Sequence, residues 1–287
     1  MLKVFFEREQ IFAFRELEAK ELNVIDERRY ERIQKEIGAI QSVAFFLIPY
    51  SVGQKTTNLS VYAQVRDYHL YARELSERLQ LFLAQKGYEG KCRVCADTSP
   101  FAERDAALKA GLGVLGKNGL LIHPQYGSYC FIGEALLTEA IRPEPARDIQ
   151  SCQGCGACLR ACPTGAVELA DRSRCLSEIT QKKHLTEEEW ELLSQAECKW
   201  GCDICQSVCP ENKNAIPTPI PFFQKDLIDR LDQEILSLSE REWNERAFSW
   251  RGRAVLKRNL GCDDSPSKEI EKRAERISSD GAVTERV

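Results

Sequence analysis

The sequence has no apolar run long enough to cross a bilayer and no excess of positive charge. Its longest apolar run covers residues 43–48, whereas a membrane-spanning helix needs about 20 residues. The N-terminus carries acidic residues where a signal peptide has an apolar segment, so we expect a cytoplasmic protein with no membrane partner. The net charge of −4 disfavours a nucleic-acid binder that works by overall charge alone.

Cysteine, in contrast, is abundant: the 287 residues include 13 cysteines. The cytoplasm keeps thiols reduced, so a disulfide framework is excluded there and metal binding or catalysis is favoured. The hydrophobic fraction of 43% and the charged fraction of 29% are those of an ordinary globular protein, which can bury a core.

Strands and helices alternate over roughly the first 140 residues, which predicts an α/β domain. A long helix is expected at 60–87, and a second helix is expected to begin with Ser99 as its cap and Pro100 at its first position, and to end at Gly111. Strands are predicted at 40–50, 92–96, 119–123 and 128–133.

Linkers and composition divide the chain into three parts, and the predicted fold class is α+β / α/β. We predict an α/β domain at residues 1–145 and a cysteine-rich domain at residues 146–220. Residues 221–287 form a helical C-terminal segment, whose charged tail we expect to be disordered.

Two cysteine groups lie in the middle of the chain. The first is the bacterial ferredoxin run CQGCGACLRACP at 152–163, and the second is CDICQSVCP at 202–210. Three thiolates on one tight loop bind three corners of a cubane, and the fourth cysteine, followed by proline, binds the other cluster. This exchange predicts one [4Fe–4S] cluster on Cys152, Cys155, Cys158 and Cys209, and a second on Cys162, Cys202, Cys205 and one further cysteine. Residues 146–220 are therefore predicted to form a double [4Fe–4S] ferredoxin-like domain.

The eighth ligand has two candidates. Cys198 is close to Cys202 in sequence, whereas Cys175 follows the first group at the point where a two-cluster fold returns the chain, and we favour Cys175. Two CxxC pairs also occur in zinc sites with four thiolates. The CxxCxxCxxxCP run followed by CxxCxxxCP fits iron–sulfur clusters much better.

The remaining cysteines and a glycine motif have simpler interpretations. Cys92 and Cys95 are either a redox pair or, as we favour, two buried structural thiols, because residues three apart on a strand point to opposite faces. We expect Cys130 and Cys262 to be packing residues. The GLGVLG run at 111–116 matches GxGxxG but follows a helix, so a dinucleotide site is disfavoured. Its glycines end the helix or admit a large flat group.

Several segments together resemble the epoxyqueuosine reductase family, whose members use cobalamin and [4Fe–4S] clusters in queuosine tRNA modification. The resemblance covers roughly residues 40–260, and it is to a compact form without the C-terminal helical repeats of longer members. The matching segments, in order, are VYAQVRDYH at 61–69, DTSPFAER at 97–104, AGLGVLGKN at 110–118, GSYCFIGE at 127–134, the run at 152–165, RCLS at 174–177 and GCDICQSVCP at 201–210.

The resemblance implies a reductase that converts epoxyqueuosine to queuosine in tRNA. It implies a cobalamin between the α/β domain and the cluster domain, with Asp97 as proton donor and as a contact of the cofactor. It also supports Cys175 as the eighth cluster ligand. The other positions that match the cobalamin pocket are Ser60, Arg104, Lys117, Leu121 and Ile132.

The implied partners are the anticodon loop of tRNA and an external low-potential electron donor, and we expect a monomer. Tyr68 and His69 either reach the substrate or pack. A patch of six basic residues with interleaved aromatics is either a tRNA contact or a solvated helix face with core tryptophans. It comprises Arg241, Arg246, Arg251, Arg253, Lys257 and Arg258, with Trp243, Phe248 and Trp250.

Two other functions compete with this one. The first is a cobalamin- and cluster-dependent reductase of another small molecule, which would not bind tRNA. The second is an iron–sulfur electron-transfer protein that reduces the cobalamin of a partner, and for such a protein Asp97 would be dispensable.

Overall fold

A computed structural model describes residues 1–140 and 145–261 of the protein. Some predictions concern residues outside these ranges. They are the predictions for Cys262, for the charged tail and for part of the linker at 141–151. Within the two described ranges, no helix has the length and the apolar character that crossing a membrane requires.

The first domain contains a four-stranded sheet in which all neighbouring strands are antiparallel, in the order β1-β2-β6-β3. A separate two-stranded hairpin, β4–β5, precedes β6. The predicted strands at 40–50 and 92–96 are confirmed. The strand predicted at 128–133 begins at residue 130 and continues to residue 137. The strands are β1 (Phe14–Glu18), β2 (Ser42–Pro49), β3 (Cys92–Ala96), β4 (Val114–Leu115), β5 (Leu121–Ile122) and β6 (Cys130–Leu137).

Helices cover both faces of this sheet, so the mixed α and β class predicted from the sequence is confirmed. Strand β2 is buried along its whole length, and its alternate side chains enter two apolar clusters. Phe46 joins the cluster formed with α1 (Leu2–Arg8) and α4 (Tyr68–Gln85). Phe45 joins the cluster formed with α2 (Glu27–Ile37) and α5 (Glu103–Lys109).

The single helix predicted at 60–87 is wrong, because the segment forms two helices. A short α3 (Val61–Gln64) ends before Asp67, and α4 begins after it. The Asp67 carboxylate accepts the N–H of His69 at 2.9 Å, which caps α4, while the N–H of Asp67 donates to the carbonyl of Glu245 at 2.9 Å. A contact with the C-terminal segment therefore fixes the break.

The predicted start of the next helix at Ser99 and Pro100 is also wrong, since α5 begins at Glu103. The Ser99 hydroxyl does not cap this helix but donates to the carboxylate of Glu134 on β6. Phe101 forms an isolated bridge with Val24, which keeps the chain extended past the proline. Tertiary contacts have overridden a strong local start signal.

The strand predicted at 119–123 is only the two-residue β5, which pairs with β4 inside the glycine motif. A Cβ on Gly113 would lie 2.5 Å from the carbonyl oxygen of Ile122, so the hairpin requires glycine there. Gly111, at φ +71°, ends α5 as expected.

The cysteine-rich module consists of short helices joined by loops. These helices are α6 (Ala157–Ala161), α7 (Leu176–Ile179), α8 (Glu187–Gln195) and α9 (Ile204–Ser207).

The C-terminal segment was predicted to be helical, but its described part, residues 221–261, is less helical than that. It contains α10 (Glu240–Asn244), α11 (Arg253–Asn259) and short 3-10 turns. A separate apolar cluster around Trp200, Trp243 and Phe248 packs this segment onto the module.

Candidate iron–sulfur centre and catalytic face

The four cysteines assigned to the first cluster surround one cavity. All described cysteines are free thiols, and Cys152, Cys155, Cys158 and Cys209 together line this cavity. These are the four residues assigned to one cluster by their spacing, although Cys209 is distant from the others in sequence. Among the described residues, no three His, Cys, Asp or Glu side chains converge tightly enough to hold a single metal ion. Four thiols around a cavity match the arrangement of a cubane, in which each thiolate binds its own iron.

The cysteines assigned to the second cluster are also close to one another. Burial, with additional contributions from the nearby Cys202 and Cys175, raises the pKa of Cys205 to about 12. Burial likewise raises the pKa of Cys175, with additional contributions from Cys202 and Cys162. The structure therefore brings together Cys162, Cys175, Cys202 and Cys205.

Cys198, the rival for the eighth position, also borders this group, because its thiol is hydrogen-bonded to that of Cys202. It packs with Leu176, Ile179 and Leu193 in a small apolar cluster. This environment suits a buried structural thiol.

A buried polar network fixes the cysteine module to the sheet domain. The Asp203 carboxylate accepts the Ser60 hydroxyl and the Val61 N–H, both at 2.6 Å. The Asn212 side chain accepts the N–H of Ser128 at 2.7 Å and donates to its hydroxyl at 2.9 Å. These groups are buried and paired, so the two parts share one rigid interface.

The hairpin β4–β5 connects this module with the rest of the first domain. The main chain of Leu115 accepts the N–H of Cys152 at 2.9 Å and donates to the carbonyl of Gln150 at 2.7 Å. At the hairpin tip, Lys117 lies beside the loop of the first cysteine group, and Asn118 lies beside Cys205. One short hairpin thus touches both groups of thiols.

The other side of the hairpin faces Arg104. This arginine is exposed, and its Nη1 donates to the carbonyl of Gly119 at 3.2 Å. Its guanidinium also lies 3.5 Å from the carboxylate of Asp105, so it is not paired with Asp97.

Asp97 follows the last residue of β3 and has an uncommon backbone. Its φ is +58°, in the left-handed region that aspartate tolerates better than most residues. Its carboxylate is exposed and accepts the hydroxyl of Tyr68 at 2.6 Å. Tyr68 in turn stacks on Phe131 with 3.8 Å between ring centroids, so the aspartate stands at the edge of an aromatic surface.

Two carboxyl groups that the sequence analysis missed lie behind this loop. Burial raises the pKa of Glu103 to about 7, with Asp97 adding to the effect. Burial raises the pKa of Glu134 well above its usual range, and Glu103 raises it further. An acidic residue inside the otherwise apolar strand β6 was the available signal.

The remaining residues that match the cobalamin pocket differ in exposure. Lys117 is exposed and Ile132 is half-buried, whereas Leu121 packs in the core and Ser60 is buried against Asp203. Strand β3 ends opposite Gly133, so residues 130–132 of β6 pair with β2 alone. A strand edge without a β3 partner thus lies next to Asp97.

His69 lies on the same face as Tyr68, since its ring centroid is 4.1 Å from that of Tyr68. Its Nδ1 is 2.8 Å from the Asp67 carboxylate. Partial burial lowers the pKa of His69, but the hydrogen bond and charge of Asp67, together with Asp97, outweigh burial and leave this pKa raised.

Some side chains of the basic patch in the C-terminal segment are buried, and others are exposed. Trp243 and Phe248 are buried, while Trp250 is 59% exposed and carries the guanidinium of Arg251 at 3.8 Å from its ring centroid. Arg246 is buried and donates to the carbonyl of Asp226. The prediction of core tryptophans thus fits Trp243, and Trp250 is the aromatic that can meet a partner.

Cys92 and Cys95 are both buried and belong to the clusters on opposite faces of the sheet. The geometry suits two packing thiols. Cys130 is half-buried and packs against the cluster that includes Cys95.

The fold and the cysteine arrangement define an iron–sulfur protein built on a small α/β domain. Residues 151–212 match the model of the 4Fe-4S double cluster binding domain. An epoxyqueuosine reductase from Prochlorococcus marinus is 30% identical over 230 residues, which cover 76% of this chain and 73% of that protein. The chain belongs to the epoxyqueuosine reductase family.

Other relatives agree with this assignment. The Bacillus cereus epoxyqueuosine reductase is 33% identical over 203 residues, 68% of this chain and 53% of that protein, so the chain spans about half of its length. The structure of the Streptococcus thermophilus epoxyqueuosine reductase superposes with a TM-score of 0.71 at 25% identity, over 90% of this chain and 78% of that one. An epoxyqueuosine reductase with an epoxyqueuosine-modified tRNA-Tyr stem loop has the same fold (TM-score 0.69, 23% identity, 90% and 79% coverage).

Proposed function

We propose that this protein is a reductase that converts epoxyqueuosine to queuosine in tRNA. The observation that carries the proposal is the hairpin β4–β5, which touches both thiol groups on one side and the exposed Arg104 side chain on the other. The two sets of thiols and a cationic side chain of the first domain thus meet at one short element. Family membership supplies the substrate, and that substrate implies a cytoplasmic site of action.

The proposed cluster ligands follow the thiol groups. One [4Fe–4S] cluster is held by Cys152, Cys155, Cys158 and Cys209, and this is supported by the cavity that all four line. The other is held by Cys162, Cys175, Cys202 and Cys205, supported by their mutual proximity. The proposed domain division at 145 and 220 places both sets in the middle part of the chain.

The proposed cobalamin lies beside Asp97. The exposed Arg104 and Lys117, the half-buried Ile132 and the open edge of β6 are groups that suit the amide-rich rim of a corrin. Ser60 and Leu121 are buried, so they would support this surface from behind. When bound, cobalamin supplies a strongly reducing cobalt centre, and the clusters supply electrons at low potential.

The reaction has a simple balance. Removing the epoxide oxygen as water and forming a carbon–carbon double bond consumes two electrons and two protons. An external low-potential donor provides the electrons one at a time. We assign one proton to the Asp97 carboxyl, which is exposed and is oriented by the Tyr68 hydroxyl.

The test is a turnover assay on epoxyqueuosine-containing tRNA, with the products identified by mass spectrometry of the nucleosides. We expect the wild-type holoprotein to form queuosine, and Asp97→Asn to keep iron, sulfide and cobalamin but to lose at least about 100-fold in turnover. Asp148→Asn, at another exposed aspartate, serves as the control. Normal turnover by Asp97→Asn would refute the role of Asp97, and a wild-type holoprotein that leaves the epoxide intact would refute the proposed substrate.

A further inference from the structure

The loop that carries Asp97 is held by a set of polar contacts centred on Ser99. The Ser99 N–H donates to Glu103 Oε1 at 3.3 Å, and its carbonyl accepts Nη1 of Arg29 at 3.3 Å. Its hydroxyl donates to Glu134 and accepts the N–H of Phe101 at 3.1 Å. Every polar group of Ser99 is therefore occupied, although the residue lies in a loop.

Glu103 makes a second contact with the same loop. Its carboxylate also accepts the N–H of Asp97, the residue whose φ is +58°. One side chain thus holds the main chain at both ends of the turn 97–99. A left-handed backbone costs about 1–2 kcal/mol for a residue other than glycine, and such a conformation persists only where the surroundings enforce it.

Glu134 anchors this arrangement to the sheet. It is fully buried on β6, between Phe45 of β2 and Cys95 of β3, and only its Oε2 is engaged, by the Ser99 hydroxyl. Its Oε1 has no hydrogen-bond partner among the described residues. A buried carboxyl with one unused oxygen is costly for the core, so it requires a reason beyond packing.

We propose that Glu103 is a positioning residue that fixes the turn 97–99 and so aims the Asp97 carboxyl, with Glu134 holding the same turn through Ser99. The proposal rests on the assignment of Asp97 as the proton donor. Neither glutamate reaches the substrate face itself, since Glu103 points at the loop backbone and Glu134 lies inside the sheet. Their effect is exerted through the loop.

Substitution of Glu103 by glutamine and by alanine tests whether this residue acts by accepting hydrogen bonds from the loop. Glu103→Gln keeps a side-chain oxygen that accepts an N–H, whereas Glu103→Ala removes every acceptor. If Glu103 positions the loop, Glu103→Gln should largely keep the loop protection and the turnover that Glu103→Ala loses. Glu77, exposed on α4, provides the matched control as Glu77→Ala.

The first measurement is hydrogen–deuterium exchange of the peptide that contains residues 97–101 in the full-length protein. We expect this peptide to exchange at least about tenfold faster in Glu103→Ala, and nearly as in wild type in Glu103→Gln and Glu77→Ala. Ser99→Ala, which removes only the hydroxyl contact, is also expected to accelerate exchange. Wild-type exchange in both Glu103→Ala and Ser99→Ala would overturn the proposal.

The second measurement determines kcat and KM separately for the enzyme that carries its clusters and cobalamin. Glu103→Ala should lower kcat by at least about tenfold with KM for tRNA and bound cobalamin unchanged, and Glu103→Gln should recover most of the loss. A loss that lies in KM instead would contradict positioning. If Asp97→Asn turned over normally, the proton-donor assignment would fail while the exchange experiment would still decide whether Glu103 holds the loop.

Discussion

At the scale of single residues, the candidate site combines an exposed carboxyl with two carboxyls whose pKa values are raised by burial. Asp97 projects from a left-handed turn, and Glu103 and Glu134 lie behind it. Groups whose environments move their pKa values apart are a common feature of acid–base sites. In the proposed mechanism, the exposed Asp97 meets the substrate, while the buried Glu103 and Glu134 hold its loop.

The raised pKa of Glu103 predicts a pH-dependent stability. The folded state keeps this proton up to about pH 7, while the unfolded chain loses it near 4.5, so the folded state binds more protons between these values. Stability must then fall as pH rises through this window, by up to about 3 kcal/mol.

The check is a comparison of melting temperatures at pH 5 and pH 8. Glu103→Gln cannot ionise, so its melting temperature relative to wild type should be higher at pH 8 than at pH 5. An equal difference at the two pH values would show that Glu103 titrates normally in the folded protein.

Trp250 is the residue of the C-terminal segment best placed to stack on an unpaired base. It is 59% exposed and already carries Arg251 over its ring. Stacking of one base on an aromatic side chain contributes about 1–3 kcal/mol, so Trp250→Ala should weaken binding of an anticodon stem-loop by about fivefold or more. Phe12→Ala, at an aromatic that is 53% exposed, is the control. Unchanged binding in a fluorescence titration at fixed salt would place the tRNA contact elsewhere.

The metal-ligand candidates were readable from the sequence because cysteine spacing is a local property with a fixed geometric meaning. Glu134 was not, because its role depends on Ser99, which is distant in sequence, and on cross-strand neighbours. The same holds for Asp203, whose partner Ser60 belongs to the first domain.

At the scale of elements, strands β2 and β3 were predicted well, whereas the two-residue strands and the break within the predicted long helix were not. Strand β2 was recognisable because its residues are buried on both faces. Hairpin β4–β5 has two residues in each strand, too few for a pattern, and it is stabilised by contacts with residues 150–152. The break between α3 and α4 likewise depends on Glu245, far along the chain.

The interface between the sheet domain and the cysteine module predicts a specific loss of stability. The buried Asn212 side chain makes three hydrogen bonds, to the Ser128 N–H, the Ser128 hydroxyl and the carbonyl of Gln206. Asn212→Ala leaves the buried Ser128 N–H unpaired, while the Ser128 hydroxyl and the Gln206 carbonyl each keep one other partner. The cost of about 2 kcal/mol should lower the melting temperature of the holoprotein by about 5 °C. Asn244→Ala, at an exposed asparagine, should leave it unchanged. A similar melting temperature for both variants would mean that this network does not hold the interface.

At the scale of the whole molecule, the cysteine module packs against the sheet domain on one side and against the C-terminal segment on the other. The sheet domain supplies Asp97, the module supplies two sets of thiols, and a buried cluster around Trp200 fixes the C-terminal segment to the module. The antiparallel sheet differs from the parallel arrangement typical of alternating strands and helices, because β6 lies between β2 and β3 and runs opposite to both.

The proposed reductase activity requires, above all, two cubanes in the cysteine module. The most direct test is the iron, sulfide and zinc content of the anaerobically purified protein, together with its absorption spectrum after cobalamin is added. We predict about eight iron and eight sulfide ions per chain, four in each of two clusters, and a bound cobalamin spectrum. Zinc in place of iron and sulfide would contradict the account.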